Sequence, residues 1–326
     1  MEEDGGMKVR FDTVKLAAGL QARAKAKPAI RTVVVHPCSP DALAGAIEAA
    51  EQGLIVPVLV GPADKIRETA DKAGLDIGGH EIINAPHSHA AAALAAKMAG
   101  AGEVQAMMKG SLHTDEFMSE VLKRENGLRT ERRISHVFAM ADDSYHKPFL
   151  ITDGAINIAP DLMTKRDIVQ NAVDFLVGIN EPGFVPKVAV LAAVETVNPA
   201  MQSTVDAACL SKMADRGQIV RAIVDGPLAF DNAMSHAAAL TKGIVSDVAG
   251  DADILLMPDL ESGNMLAKQL ILLCQAVSAG LVLGARLPII LTSRSDGAAS
   301  RTGSAALAVL MAAAQAEGRL GFTREG

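Results

Sequence analysis

Short apolar runs that stop abruptly at small or polar residues, each set beside a helical pattern, recur along this chain and constrain its fold more than any other feature. The run 32–35 meets His36-Pro37-Cys38-Ser39 and a helical pattern over 40–52; the run 57–60 then ends at Gly61-Pro62. Parallel strands need a crossover long enough to hold a helix, so this alternation predicts a parallel sheet. It continues with a strand 106–109, a helix 114–125 and a strand 134–140. Beyond the polar break 142–148 come a strand 149–152 ending at Asp153-Gly154, a helix 164–178, a strand 187–192 and a helix 205–216. A strand 220–224 ends at Asp225-Gly226-Pro227, a strand 254–257 ends at Pro258-Asp259, and a helix is expected over 264–279. The last strand, 288–291, precedes an Ala- and Leu-rich helix that starts near Gly303.

Composition fits that reading. Only 3% of residues are aromatic and none is Trp, while 49% are hydrophobic. Ala, Val, Leu and Ile must fill the core, as suits helices packed on parallel strands. The 326 residues suffice for one large or two ordinary domains. A boundary is placed near residue 148. Net charge is -7 and no basic patch alternates with aromatics, which argues against nucleic acid. Cys38, Cys209 and Cys274 lie far apart and form no disulfide framework. The acidic start carries no secretory signal, and the apolar stretch 271–291 is broken by Ser278, Gly280, Gly284, Arg286 and Pro288. A cytoplasmic protein with no membrane partner is the expectation.

Chemistry concentrates at strand ends, where ligands of open α/β sheets bind. In Thr292-Ser293-Arg294-Ser295-Asp296, arginine offers a forked donor for phosphate, serine a neutral donor and aspartate a candidate base. In Lys109-Gly110-Ser111-Leu112-His113-Thr114, a strand meets a cation, a glycine and side-chain donors just before a helix. An ordinary strand–helix turn with Thr114 as N-cap accounts for the same residues. In Asp259-Leu260-Glu261-Ser262-Gly263-Asn264, Gly263 permits close backbone approach and Asn264 can cap a helix or bind a ligand oxygen. His87 and His89 lack an identifiable third metal ligand, and Cys38 lacks an assignable base. Arg129, Arg132 and Arg133 read as a solvated basic face from which one side chain can reach a cleft.

Together these blocks resemble the phosphate acetyl/butyryltransferase family. The resemblance runs from about residue 30 and is strongest from residue 187 onward. It rests on Val190 to Pro199, Asp225 to Ala233, Ala249 to Leu256, Pro258-Asp259 with Gly263-Asn264, and Leu291-Thr292-Ser293-Arg294, and looks closer to the butyryl branch. It implies two α/β domains with mostly parallel sheets and an interdomain cleft, akin to the isocitrate and isopropylmalate dehydrogenases. The first domain would be 1–148 plus 302–326, the second 149–301. It further implies a homodimer that moves a short acyl group between coenzyme A and inorganic phosphate, with coenzyme A as substrate, no permanently bound cofactor and no metal.

By resemblance Ser293 bonds the reacting group and Arg294 holds phosphate or coenzyme A. Lys109, Gly110, Ser111, Thr114, Arg133, Asp259, Gly263 and Asn264 are the expected binding residues. The acetyl branch carries its aspartate seven residues after the motif serine, which is Ser300 here, whereas the butyryl branch's position is Asp296. Asp296 is therefore the candidate base. The helix after Thr114 lacks the arginine that family members often carry, leaving Arg129 or Arg133 as substitutes. Two alternatives stay open. One is a non-catalytic coenzyme A binder. The other is a metal- and nicotinamide-dependent dehydrogenase of the same fold, using Asp225, Asp231, Asp251 or Asp253.

Overall fold

The computed structural model describes residues 13–292 and 297–320. The first block contains α1 (Thr13–Lys25), β1 (Ile30–Val35), α2 (Pro40–Glu51), β2 (Ile55–Gly61), α3 (Ala63–Ala73), β3 (Glu81–Asn84), α4 (Ser88–Ala101), β4 (Ala106–Lys109), α5 (Thr114–Val121) and β5 (Ser135–Ala141). Next come β6 (Phe149–Thr152), α6 (Leu162–Ile179), β7 (Lys187–Leu191), α7 (Gln202–Asp215), β8 (Ile223–Leu228), α8 (Phe230–Met234), α9 (His236–Thr241) and β9 (Ile254–Leu256). The chain closes with α10 (Leu260–Leu273), β10 (Val277–Leu283), β11 (Ile289–Ile290) and α11 (Ala298–Ala316).

All the strands join in one sheet, ordered β3-β2-β1-β4-β11-β10-β5-β6-β9-β7-β8. The expected α/β class and mostly parallel pairing are present. The strands from β3 to β11 run parallel to one another, as do β6, β9, β7 and β8. Among the named strands, the antiparallel pairings lie in the middle, at β11–β10, β10–β5 and β5–β6. The two parallel blocks therefore point in opposite directions within one continuous sheet.

Several sequence expectations need correction. The segment 264–279 is not one helix: α10 ends at Leu273, and Val277 begins β10. Gln275 takes a left-handed backbone (φ 56°), which breaks the helix, and the segment's Ala and Leu content masked the change of period. The turn expected at Asp225-Gly226-Pro227 lies inside β8. Helix α3 and strand β3 add to the elements that the sequence pattern predicts; β3 is a four-residue edge strand with no fully buried residue. The last helix starts at Ala298, five residues before Gly303.

Helices cover both sheet faces, and alternation along β1 shows why: Val34 enters the core under one face, Val33 and Val35 the core under the other. On the first face a single core runs from Leu43 of α2 through Phe175 of α6 to Leu210 of α7. Helix α11 bridges it, and its buried Ala305, Ala306, Ala308, Ala312 and Ala314 let the helix sit close to the sheet. On the second face the core is split. One cluster lies under α4 and α5, another under α8 to α10. The gap between those two clusters is where the fold leaves a cleft.

Candidate active site

The cleft contains two adjoining chambers. The first, about 430 Å³, is lined from one side by Lys109, Leu112, His113 and Thr114, and from the other by Ala155, Asn264 and Lys268. His136 and Phe138 line it from the central strand β5, and Leu291 and Thr292 from the two residues that follow β11. The second, about 460 Å³, lies among the first turns of α2, α3 and α11 and the residues that follow β1 and β4. Lys109 and Thr292 line both chambers.

The junction is built by hydrogen bonds between two strand-end loops. Gly110 and Ser111 donate their backbone N–H groups to the Val35 and His36 carbonyls, each at 2.9 Å. The Ser111 hydroxyl donates to the His36 carbonyl at 2.8 Å and accepts from the Cys38 N–H at 3.1 Å. A Cβ on Gly110 would stand 2.3 Å from the Val35 oxygen, so only glycine fits there. Lys109 is 9% exposed, with its ammonium 3.3 Å from the Gly110 carbonyl. Burial pushes the Cys38 thiol up from its usual range, against the pull of Lys65, so it stays protonated at neutral pH.

The opposite wall forms around Asp153. This buried carboxylate accepts the N–H groups of Ala155, Ile156 and Asn157 and the Asn157 amide, fixing the turn after β6. Burial pushes its pKa up, and those four donors oppose the shift. Gly263 lets α10 press on this turn, because a Cβ there would lie 2.4 Å from the Asp153 carbonyl. One turn of contact is then completed by Asn264, whose amide donates to the Gly154 carbonyl at 3.0 Å while lining the first chamber.

The structure thus brings Lys109, Thr114 and Asn264 together around the first chamber, and Lys109, Gly110 and Ser111 around the second. His113, not Thr114, is the N-cap of α5; Thr114 is its first residue and half-buried. Asp259 is the N-cap of α10, accepting from the Ser262 N–H at 2.8 Å, and is not among the chamber-lining residues. Arg133 is exposed and lines neither chamber. Arg132 pairs with the buried Asp174. Ser293, Arg294 and Asp296 lie outside the described residues, but Thr292, the residue before them, stands at the junction of the chambers.

Sequence reasoning missed His36, Lys65, His136, Lys268 and Arg301 as lining residues. His136 is the one titratable residue in the largely apolar strand β5, a signal that was available. Its ring packs edge-on against Phe138 at 4.5 Å, and neither nitrogen meets hydrogen-bond geometry with a described residue. Burial lowers its pKa to about 3; the Leu291 backbone opposes the shift and the Lys268 charge adds to it. The imidazole is therefore neutral at working pH.

Among the described residues, no three His, Cys, Asp or Glu side chains converge in a metal-binding arrangement. Asp251 and Asp253 are held instead by lysines: Lys147 and Lys187 contact Asp251, and Lys147 contacts Asp253. No helix among the described residues is long and apolar enough to cross a membrane.

Comparison with known proteins agrees with this architecture. Residues 88–309 match the family model described as "Phosphate acetyl/butaryl transferase". A phosphate acetyltransferase of Rickettsia felis is 59% identical over 289 residues, covering 89% of this chain and 82% of its own. A phosphate butyryltransferase of Clostridium acetobutylicum is 42% identical over 267 residues, covering 81% of this chain and 87% of its own. A crystal structure of a branched-chain phosphotransacylase from Enterococcus faecalis superposes with a TM-score of 0.76 at 30% identity, covering 87% of this chain and 99% of that one. A 4-hydroxythreonine-4-phosphate dehydrogenase from Klebsiella pneumoniae shares the fold, with a TM-score of 0.53 at 13% identity over 88% of this chain and 98% of its own. The chain belongs to the phosphate acetyl/butyryltransferase family.

Proposed function

We propose that this chain transfers a short acyl group between coenzyme A and inorganic phosphate, by direct attack in the cleft between its two parallel blocks. A phosphate oxygen attacks the thioester carbonyl, the carbon–sulfur bond breaks, and the thiolate leaves and is protonated; the reverse reaction uses the thiolate as nucleophile. The negative charge that develops on the carbonyl oxygen and the charge of the phosphate both call for fixed donors and cations. Lys109 and Lys268 supply the cations of the first chamber, and Leu112, Phe138, Ala155 and Leu291 give it an apolar side suited to an acyl chain. Ser293 donates to the reacting carbonyl, Arg294 clamps phosphate with its forked donors, and Asp296 serves as base for the thiol. Coenzyme A is a substrate and no bound cofactor is required.

The observation that carries this reading is the position of Thr292. Thr292, the residue before Ser293, lines the chamber that Lys109 and Asn264 also line, which supports assigning Ser293, Arg294 and Asp296 to this site. The names of the relatives, acetyl- and butyryltransferases alike, support the same reaction class. We further propose a cytoplasmic homodimer divided near residue 148, with the last helix returning to the first domain. The exposed Met265, Leu272 and Leu273 of α10 offer an apolar surface for a second copy.

The test is a thiol-release assay across acetyl, propionyl, butyryl and branched acyl-coenzyme A, with and without phosphate. Release that depends on phosphate and is lost in Arg294→Ala is the expected result. Tight coenzyme A binding by the folded protein with no turnover on any acyl chain refutes the enzymatic reading and favours the non-catalytic one.

A further inference from the structure

Two glycines make room for the aromatic pair of β5. A Cβ on Gly154 would stand 2.7 Å from Phe138 Cε2, so the turn after β6 closes directly on the Phe138 ring. Phe138 meets the His136 ring edge-on, two residues away on the same strand face. A Cβ on Gly280 of β10 would stand 3.1 Å from His136 Nε2 and 2.6 Å from the Leu291 carbonyl oxygen. The imidazole and that carbonyl therefore converge on the one slot that the missing side chain leaves. These contacts form a continuous path. It runs from the turn that Asn264 bonds to the residue just before Thr292.

The Leu291 carbonyl stands just past the strand ladder. Strands β10 and β11 pair at Val282 with Ile289 and at Leu281 with Ile290. Gly280 would be the next partner, but its N–H donates to the Ser304 hydroxyl at 2.9 Å. Leu291 is buried, and a buried carbonyl calls for a donor. His136 is the side chain at the slot: it is fully buried, and neither ring nitrogen is hydrogen-bonded to a described residue. The Leu291 backbone favours a proton on this ring, against the burial that disfavours charge. A neutral imidazole still carries one N–H, and its position on Nε2 or Nδ1 is set by the acceptor it meets. Hydrogen bonds in active sites are often poorly aligned before substrate binds and tighten with it.

We propose that His136 is a positioning residue for the transfer reaction: as substrate fills the first chamber, its Nε2–H donates to the Leu291 carbonyl and fixes the direction in which the chain leaves β11 toward Ser293, Arg294 and Asp296. In this role the ring touches no reacting atom. It acts through the backbone on the residues that do. The inference rests on the acyltransferase reading for the roles of those three residues.

Steady-state kinetics of full-length His136→Phe, His136→Asn and His136→Gln decide it. A Gln amide can take the place of Nε2 and an Asn amide that of Nδ1, while Phe keeps a ring and removes both nitrogens. The expected result is a fall of roughly tenfold in kcat for His136→Phe and His136→Asn, with KM for coenzyme A and for phosphate within about twofold of the parent. His136→Gln should restore most of the turnover. A histidine that only fills space gives the opposite order, with His136→Phe close to the parent and His136→Gln impaired, and that order overturns the inference. A loss carried by KM alone overturns it as well, because the ring would then be a substrate contact. Long-range 15N–1H spectra, recorded with and without coenzyme A, supply an arm free of turnover. The imidazole signal that is lost in the His136 variants should belong to a neutral ring with its proton on Nε2, and that proton should exchange more slowly once coenzyme A is bound. A proton on Nδ1 overturns the inference. If the unsubstituted protein shows no phosphate-dependent thiol release, the transferase reading fails, while the tautomer still decides whether His136 can donate to Leu291.

Discussion

The Arg301 side chain crosses α2 at Gly45, so closely that a methyl group at position 45 would lie 2.4 Å from Cδ and 3.4 Å from Cβ and Cγ. Gly45→Ala must therefore move the middle of the arginine stem, not a flexible tip. Better helix propensity, worth about 1 kcal/mol, partly offsets the lost packing. The variant should melt within a few degrees of the parent yet bind coenzyme A several-fold more weakly. Thermal unfolding together with the KM for coenzyme A checks both halves, and an unchanged KM would show that the guanidinium position does not matter.

Gly110 offers no such compromise. The atoms that a Cβ would meet are the Val35 and His36 carbonyl oxygens, at 2.3 and 2.7 Å, and backbone cannot swing aside. Gly110→Ala should cost about 1–3 kcal/mol of stability by overpacking and separate the two loops that join the chambers. A melting temperature equal to that of the parent in differential scanning calorimetry would contradict this account.

Asp153→Asn replaces an acceptor of four hydrogen bonds with a side chain that has one acceptor oxygen and an amide pointing at donors. Leaving buried N–H groups unpaired costs about 1–3 kcal/mol. The turn it organises carries the Gly154 carbonyl that Asn264 bonds. Turnover should fall together with stability, and Asn264→Ala should lower turnover with a smaller loss of stability. Urea denaturation and the release assay separate the two effects.

His136 makes the fold acid-sensitive in a defined window. Its folded pKa, about 3, lies below the unfolded value of 6.5. Between those values the unfolded chain binds a proton that the folded chain does not, so stability is complete above pH 6.5 and declines as pH falls toward 3. The loss from this one residue reaches about 3 kcal/mol near pH 4. Replacement by Phe or Asn should flatten that part of the stability–pH curve, measured by urea denaturation from pH 7 to 4. An unchanged slope would mean that the ring is not buried neutral.

Much of this was legible from local patterns. Strand β4 and its Lys109-Gly110-Ser111 exit, the Asp153-Gly154 turn and the Gly263-Asn264 pair all combine an apolar run with an abrupt polar stop, which short-range chemistry dictates. The reading failed where local and tertiary preferences diverge. An Ala- and Leu-rich stretch continues the helical period past Leu273, yet the middle of the sheet needs a strand there, and Val277–Leu283 becomes β10 between β5 and β11. The short edge strand β3 has too little apolar content to stand out, so α3 and its Lys65 went unrecognised with it.

The sequence by itself determined the α/β class, the family and the strand ends at which polar residues gather, because each follows from periodicity or from motifs contiguous along the chain. Tertiary structure alone decided that two oppositely directed parallel blocks share one sheet, and that the core of one face is continuous while the other is split by a cleft. It also decided that Lys65, Lys109 and Arg301, at positions far apart along the chain, line one chamber. The physical reason is packing. Gly45, Gly110 and Gly263 matter through what lies opposite them, an arginine stem or a carbonyl, and no local pattern encodes the neighbour that a missing side chain admits.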